Sequence, residues 1–140
     1  MTPPKINRPE NLFEGFDPSA YEAEARERWP EQYEHARQVA ESFTPEQMEM
    51  IQKDLTAYMI RLAELMAAGK PASDAEVQAE VGWHYRWISR FWTPNAEAYR
   101  NLGRMYVDDE RFRANYEKIT EGLAAYQRDA MAVYARERLS

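Results

Sequence analysis

Three of the four tryptophans of this 140-residue chain lie within ten residues, on a segment with a helical pattern of apolar positions. At about 3.6 residues per turn, one stripe of this segment comprises Val77, Val81, Tyr85, Ile88 and Trp92. A neighbouring stripe comprises Trp83, Trp87 and Phe91. A helix that faces one core needs only about three apolar positions per two turns. The second stripe must therefore pack on another helix, line a cleft or face water, and water suits indole rings least.

The rest of the sequence also predicts helices, because apolar residues recur at intervals of three and four and strict alternation never persists. We expect a single all-α domain of about seven helices. Proline, glycine and N-cap residues predict the breaks between the helices. These predicted boundaries are Asp17 with Pro18, Pro30, the Thr44 to Gln47 capping box, Gly69 with Pro71, Ser73 with Glu76 as a second capping box, Pro94 with Asn95, Asp108 as an N-cap, and Gly122.

Residues 1–43 and 44–140 differ in their composition. The first part holds three prolines near its start, short helical segments and a dense set of charged residues, whereas the second alternates long amphipathic helices. Helices shorter than about 12 to 15 residues are marginal in water without tertiary packing. We therefore expect residues 1–12 to form a flexible leader, residues 13–43 a less stable and mobile helical arm, and residues 44–140 a stable helical core.

The charge balance argues against a nucleic-acid-binding role. Eighteen Lys and Arg residues oppose 24 Asp and Glu residues, so the net charge is −6. No basic block could follow a phosphate backbone, so direct nucleic-acid binding is not expected. The first residues lack the pattern of a signal peptide, and no apolar run approaches the roughly 18 residues of a membrane span. We expect a cytoplasmic protein without membrane contacts.

The sequence carries no catalytic signature. It contains no cysteine and only two histidines, His35 and His84, and neither belongs to a zinc-binding pattern. The acidic group from Asp108 to Glu110 lacks the spacing of a calcium loop and is better explained by helix capping. Phosphate-binding loops and nucleophile elbows are also absent. We therefore predict no metal, no cofactor and no enzymatic activity.

The aromatic residues provide the positive functional signal. For any single Phe or Tyr, a core position is the commoner outcome. Trp83 and Trp87, however, lie beside the polar residues Glu80, His84 and Arg90. A flat apolar surface with a few hydrogen-bonding groups suits a planar or heterocyclic ligand. The N-terminal arm offers a second aromatic surface through Phe16, Tyr21 and Trp29.

Several blocks of the sequence between Phe13 and Tyr134 form a combination that is specific, although each block alone is a weak signal. The blocks are Phe16-Asp17-Pro18 with Tyr21, Glu22, Glu24, Arg28 and Trp29; residues 65–69; His84 with Ile88 and Arg90; residues 102–103 and 105–107; residues 109–112; and residues 122–126 with 128–130. In this combination the chain resembles the TipAS antibiotic-recognition domain family.

The resemblance implies an all-helical, globin-like fold and a ligand-binding domain over residues 13–140. Members of the family are effector-binding domains of MerR-type transcription activators, or separate short forms that sequester drugs. They bind bulky multi-ring antibiotics, notably thiopeptides, in a cleft, and their N-terminal helices become ordered on the ligand. The resemblance therefore implies that this chain binds a small-molecule or peptide antibiotic, for drug resistance or for effector sensing.

The sequence departs from a thiopeptide-capturing member of the family at two places. Cysteines stand there near the turn after the aromatic helix and just before the Leu-Gly pair. This chain has Pro94 or Asn95 near the first place and Asn101 at the second. Covalent capture of a dehydroamino acid by a thiol is therefore excluded, and binding should be reversible. We also expect no DNA-binding helix-turn-helix upstream, so the chain alone would not activate a promoter.

We therefore expect non-covalent binding of a bulky multi-ring antibiotic or other xenobiotic in an aromatic cleft. The candidate ligand-binding residues are four wall rings (Trp83, Trp87, Phe91 and Trp92), two polar orienting residues (His84 and Tyr99), two closing residues of the arm (Tyr21 and Trp29), and Phe16, Tyr58, Asn101 and Tyr106. The alternative is a helical interaction module whose aromatic ridge docks a partner helix or a second copy of the chain. That alternative leaves a homodimer open.

Overall fold

The computed structural model describes residues 5–13 and 19–140, without the side chains of residues 19–21. Within these ranges the chain forms seven helices and no strand, which confirms the predicted all-α fold. The helices are α1 (Ser19–Arg28), α2 (Pro30–Glu41), α3 (Pro45–Ala67), α4 (Ala75–Ile88), α5 (Ala96–Asp108), α6 (Glu110–Ile119) and α7 (Leu123–Arg138). The predicted helix start at Asp17 and Pro18 lies outside the described residues.

Most helix breaks lie where the local sequence predicts them. Pro30 begins α2, where its fixed φ suits the first helical position. Thr44 closes a capping box at the start of α3: its hydroxyl accepts from the Gln47 N–H at 3.1 Å, and the Gln47 side chain accepts from the Thr44 N–H at 2.8 Å. Gly69 and Gly122 have φ of +80° and +90°, a left-handed conformation that side chains disfavour.

Two N-caps lie one residue later than the sequence patterns predict. Asp74, not Ser73, caps α4, and Asp109, not Asp108, caps α6. Each carboxylate accepts from the backbone N–H two residues later, at 2.8 Å for Asp74 and 3.0 Å for Asp109. A carboxylate is a strong acceptor whose charge also interacts favourably with the positive end of the helix dipole, which explains the choice of Asp74 over the neighbouring serine.

The aromatic helix is shorter than its sequence pattern predicts. α4 ends at Ile88, so Phe91 and Trp92 lie in the turn that follows it. The backbone N–H groups of these two residues both donate to the Ile88 carbonyl, at 2.8 Å and 3.1 Å. The Ser89 hydroxyl meanwhile bonds back to the Tyr85 carbonyl at 2.8 Å and competes with helix continuation. The two apolar stripes that the sequence predicts therefore run along α4 only as far as Trp87 and Ile88. Phe91 and Trp92 follow them in the turn.

The core lies between α3, α4, α5, α6 and α7. Its fully buried side chains come from each of these helices: Tyr58, Met59 and Leu62, then Val77 and Val81, Tyr99, Ile119, and finally Leu123 and Met131. The helices α5 and α7 approach closely at Gly103. A Cβ atom on Gly103 would lie 3.4 Å from both the Arg128 Cα atom and the Met131 side chain. This close approach helps to hold Tyr99 against α4 and α7.

Residues 5–13 lie along the core. The Asn7 backbone N–H donates to the Ile119 carbonyl at 2.8 Å, at the end of α6. The Leu12 backbone N–H donates to the Thr56 hydroxyl on α3 at 3.1 Å, and Asn11 donates to the Gln52 side chain at 3.1 Å. This segment therefore joins the middle of α3 to the end of α6, although the sequence predicts a flexible leader here. The flexibility of residues 1–12 stays a prediction.

The helices α1 and α2 form a pair that packs mainly on itself. α2 buries none of its residues, and Ala25 is the buried residue of α1 within the described part. Glu24 of α1 accepts from the Arg111 guanidinium at 3.2 Å, which connects the pair to the core. The mobility that the sequence predicts for this arm stays a prediction.

None of the helices within the described ranges combines the length and the apolar composition that crossing a bilayer requires.

The corrected N-cap of α4 is testable by two alanine substitutions. Asp74→Ala should lower the free energy of unfolding by about 1 kcal/mol, because it leaves a helix N–H without its acceptor. Ser73→Ala should change it by less than about 0.5 kcal/mol. Urea denaturation followed by circular dichroism measures both values. A larger loss for Ser73→Ala than for Asp74→Ala would contradict this assignment.

Candidate functional site

Four half-buried rings follow one another along one side of the core. Trp83 and Trp87 lie one turn apart on α4, and the Trp87 and Phe91 ring centroids are 5.6 Å apart. Phe43, between α2 and α3, meets Phe91 edge to face at 6.3 Å. We call Trp83, Trp87, Phe91 and Phe43 the aromatic wall. Centroid distances of about 4.5 to 7 Å are typical of interacting rings, so the wall is continuous from Trp87 to Phe43.

The wall is anchored from behind by α3. Tyr58 is fully buried and stacks on Trp83, with centroids 5.3 Å apart and planes 24° apart. It also stacks on His84 at 5.2 Å. The Trp87 indole N–H donates to the Ile51 carbonyl at 3.2 Å. The two indoles of α4 therefore have fixed positions against α3.

A buried polar pair lies beneath the wall. His84 and Tyr99 have no exposed surface, and the His84 Nδ1 atom lies 2.7 Å from the Tyr99 hydroxyl. Burial lowers the pKa of His84 to about 3, and burial raises the pKa of Tyr99. The imidazole is therefore neutral at pH 7. The His84 Nε2 atom and the Tyr58 hydroxyl have no hydrogen-bond partner among the described residues.

A charged pair lies at the α3 edge of the wall. The Arg61 guanidinium lies over the Trp83 ring, 5.4 Å from its centroid. Both carboxylate oxygens of Glu80 accept from the Arg61 Nε atom, at 3.0 Å and 3.1 Å. The Arg61 side chain is 43% exposed and the Glu80 side chain 24% exposed. The pair therefore places guanidinium N–H groups beside an indole at the surface.

The structure brings together a continuous subset of the predicted site residues. Tyr58, Trp83, His84, Trp87, Phe91, Tyr99 and Tyr106 form one connected set of ring contacts. Within this set the side chains of Tyr58, His84 and Tyr99 belong to the core, while the others are half-buried. The role of all of them in ligand binding stays a prediction.

The other predicted residues lie apart from this set. Trp92 packs against the core. Trp29 is 45% exposed between α1 and α2, and Asn101 is exposed on α5, where it accepts from Arg104 at 3.3 Å. Phe16 and the side chain of Tyr21 lie outside the described residues. Ligand binding by these five residues also stays a prediction.

Sequence reasoning did not select Phe43 or Arg61 as site residues. Phe43 immediately precedes the Thr44 capping box, a position where an apolar residue often packs back on the helix it introduces. That pattern could have drawn attention to it. Arg61 has no comparable signal, because its partners Glu80 and Trp83 are on another helix.

A groove of about 430 Å³ lies between α5 and α7, and it shares no residue with the wall. Five of its six lining residues are charged: Arg100, Arg104, Asp108, Arg128 and Asp129, with Ala132. Such a lining does not suit a large apolar ligand. Within the described ranges, no three His, Cys, Asp or Glu residues come close enough together to hold a metal ion.

The fold and the rings together define an all-helical domain with an aromatic wall beside a weakly packed N-terminal helix pair. The TipAS antibiotic-recognition domain family matches residues 21–134. The chain belongs to this family.

The curated relatives are transcription regulators. The HTH-type transcriptional activator TipA of Streptomyces coelicolor is 38% identical over 133 residues, which cover 91% of this chain and 53% of TipA. The HTH-type transcriptional regulator SkgA of Caulobacter vibrioides is 35% identical over 140 residues, which cover 91% of this chain and 54% of SkgA. The chain thus spans about half the length of these relatives.

A solved structure has the same fold. It is TipAS of Streptomyces lividans in complex with nosiheptide, described as part of a thiopeptide antibiotic multidrug resistance system. The TM-score is 0.78 and the identity 36%, over 94% of this chain and 96% of that one. The predicted family and globin-like helical fold are therefore confirmed.

The buried neutral histidine predicts a specific pH dependence of stability. An exposed histidine has a pKa of 6.5, whereas that of His84 is about 3, so the unfolded chain binds one more proton between these values. The stability that His84 contributes is complete above pH 6.5 and is lost as the pH falls toward 3. Between pH 7 and pH 5 this loss amounts to about 2 kcal/mol.

His84→Gln removes this titration. Urea denaturation at pH 7 and pH 5 should therefore show a smaller loss for the variant than for the wild type, by about 2 kcal/mol. The stability of each protein at pH 5 is compared with its own stability at pH 7, because the substitution also changes packing and hence the absolute stability. Equal losses in both proteins would show that His84 titrates normally in the folded state.

Proposed function

We propose that this chain binds a bulky, multi-ring antibiotic or other xenobiotic non-covalently, with the aromatic wall as the principal contact surface. The observation that carries the proposal is the wall itself: four half-buried rings, anchored from behind by α3, in a member of the TipAS family. The complex of the similar Streptomyces lividans domain with nosiheptide supports a multi-ring thiopeptide as the first ligand to test.

The energetics favour a large ligand over a small one. Burial of about 400 Å² of apolar ligand surface contributes on the order of 10 kcal/mol, while association costs about 4 to 15 kcal/mol. Each well-placed pair of rings adds about 0.5 to 1.5 kcal/mol. Several rings in contact with one ligand are therefore needed for tight binding, and the wall offers such a set.

The proposed roles follow the position of each side chain. Trp83, Trp87 and Phe91 contact the flat faces of the ligand, with Trp92 at the end of the same turn. The helices α1 and α2 close over the ligand with Tyr21 and Trp29. Because α2 buries no residue against the core, few packing contacts have to break before these helices close over the ligand.

His84 and Tyr99 act in this proposal as polar orienting residues beneath the wall, because they hold the rings of α4 in position for the ligand. They are fully buried in the present conformation. The His84 Nε2 atom and the Tyr58 hydroxyl lack partners among the described residues, and a buried polar atom without a partner costs about 1 to 3 kcal/mol. These two atoms therefore lower the stability of the free domain.

Binding in this proposal is reversible, because the chain contains no cysteine. No thiolate is present to add to an unsaturated group of the ligand. The biological output would be drug sequestration or, when a DNA-binding part accompanies the domain, effector sensing in transcription regulation. Neither output requires catalysis or nucleic-acid binding by this chain.

Substitution of Trp87 tests the wall directly. Trp87→Leu keeps an apolar side chain but removes one ring from the line, so we expect the affinity for nosiheptide to fall about tenfold or more. Isothermal titration calorimetry of the wild type and the variant measures the change. A denaturing mass spectrum of the mixture should show the unmodified mass of the chain.

Tyr126→Leu is the matched control. Tyr126 is also half-buried and its hydroxyl donates to the Lys70 carbonyl at 2.7 Å, but it lies outside the wall. This variant should bind nosiheptide as the wild type does, provided that both variants keep the helical circular dichroism spectrum. Equal affinity of Trp87→Leu and the wild type, or no binding by the wild type, would refute the proposal for this ligand.

A further inference from the structure

We propose that the Arg61–Glu80 pair makes the wall selective for planar rings that carry a neutral hydrogen-bond acceptor, such as an amide carbonyl, over rings that carry a carboxylate. This inference rests on the proposed function, because it assumes that the ligand's ring packs beside Trp83. It assigns to Arg61 the recognition of the acceptor and to Glu80 the positioning of Arg61.

The geometry leaves part of the guanidinium available. Glu80 accepts only from the Arg61 Nε atom, at 3.0 Å and 3.1 Å. Neither Nη nitrogen has a hydrogen-bond partner among the described residues. Each Nη nitrogen carries two N–H groups. These groups lie in the plane of the guanidinium and point away from the aliphatic part of the side chain. With 43% of the Arg61 side chain exposed, these donors are accessible from the solvent.

The guanidinium is also held in place beside an apolar surface. It lies 5.4 Å from the centroid of Trp83, where cation–π attraction favours it. The Glu80 carboxylate restrains it from the side of α4. A ligand ring that packs beside Trp83 would therefore lie next to Arg61 N–H donors whose direction is already fixed. No flexible side chain has to become ordered for this hydrogen bond to form.

Charge balance determines which acceptor these donors prefer. Glu80 compensates the positive charge of Arg61, so the pair as a whole is neutral. A ligand carboxylate would meet both the guanidinium and the Glu80 carboxylate, and like charges at close range repel each other. An amide carbonyl accepts the same N–H groups without this repulsion. The pair therefore favours the neutral acceptor, although an arginine alone would favour the acid.

Benzamide and benzoate are suitable probes, because they share one ring and differ in the charge of the acceptor. The indole N–H resonance of Trp83, assigned by its loss in Trp83→Phe, reports their binding in 15N-labelled protein at pH 7. We expect the wild type to bind benzamide at least threefold more tightly than benzoate. Arg61→Gln should weaken benzamide binding at least threefold, because the N–H donors are lost. Benzoate should remain the weaker ligand of this variant, because Glu80 is then uncompensated.

Glu80→Gln gives the decisive result. It keeps an oxygen acceptor for the Arg61 Nε atom but removes the compensating charge, so the preference should reverse in favour of benzoate. Arg104→Gln is the control, since Arg104 is an exposed arginine of α5 that lies outside the wall. This variant should keep the preference of the wild type.

Three outcomes would overturn the inference. The wild type could bind the two probes equally, Glu80→Gln could keep the preference for benzamide, or Arg61→Gln could bind benzamide as tightly as the wild type or more tightly, which would mean that Arg61 merely covers the ring. Titration of nosiheptide into the same proteins separates this result from the proposed function. Nosiheptide binding without any probe preference would overturn the role of Arg61 alone, whereas no response of Trp83 to any of the three compounds would overturn both.

Discussion

The stacked rings between α3 and α4 are the interaction on which the rest of the site depends. Tyr58 of α3 stacks on both Trp83 and His84 of α4, with centroids 5.3 Å and 5.2 Å away. His84 in turn contacts the Tyr99 hydroxyl of α5 at 2.7 Å. These contacts connect three helices through side chains that are neutral at pH 7. They fix which side of α4 faces the core. The positions of Trp83 and Trp87, and hence of the wall, follow from this orientation.

The N-terminal helices have the opposite character. Within the described residues, α1 and α2 meet the core mainly through one exposed ion pair, Glu24 with Arg111, and through the edge contact of Phe43 with Phe91. An exposed ion pair contributes only about 0 to 1 kcal/mol. In the proposed function, such a weakly attached pair of helices beside the aromatic wall would couple its own ordering to the binding of a ligand.

Local sequence signals predicted the helices and most of their ends. The Thr44 capping box, Pro30 and Gly122 each act through backbone geometry within a few residues, so their effect can be predicted without the fold. The caps at Asp74 and Asp109 were misplaced by one residue, because neighbouring residues could also cap and only the folded backbone decides between them. The early end of α4 at Ile88 has another origin: the apolar pattern continues to Trp92, but the Ser89 hydroxyl bonds back to the Tyr85 carbonyl and competes with helix continuation.

The site could be predicted only in outline. Periodicity placed Trp83 and Trp87 on one side of α4, but it could not show that Tyr58, His84 and Tyr99 belong to the core, since burial depends on all five core helices. The contacts of Phe43 with Phe91 and of Arg61 with Glu80 and Trp83 join residues that are 19 to 48 positions apart. Such contacts depend on how the helices pack and leave no trace in a local pattern.

Hydrogen exchange of α1 and α2, with and without nosiheptide, tests most directly the central claim that a weakly packed arm closes on a fixed aromatic wall. Without the ligand, residues 19–41 should exchange much faster than residues 51–63 of α3. With nosiheptide bound, exchange in residues 19–41 should slow by at least tenfold while the protection of α3 changes little. Equal protection of the arm and α3 without the ligand, or an arm that nosiheptide leaves unchanged, would contradict the account.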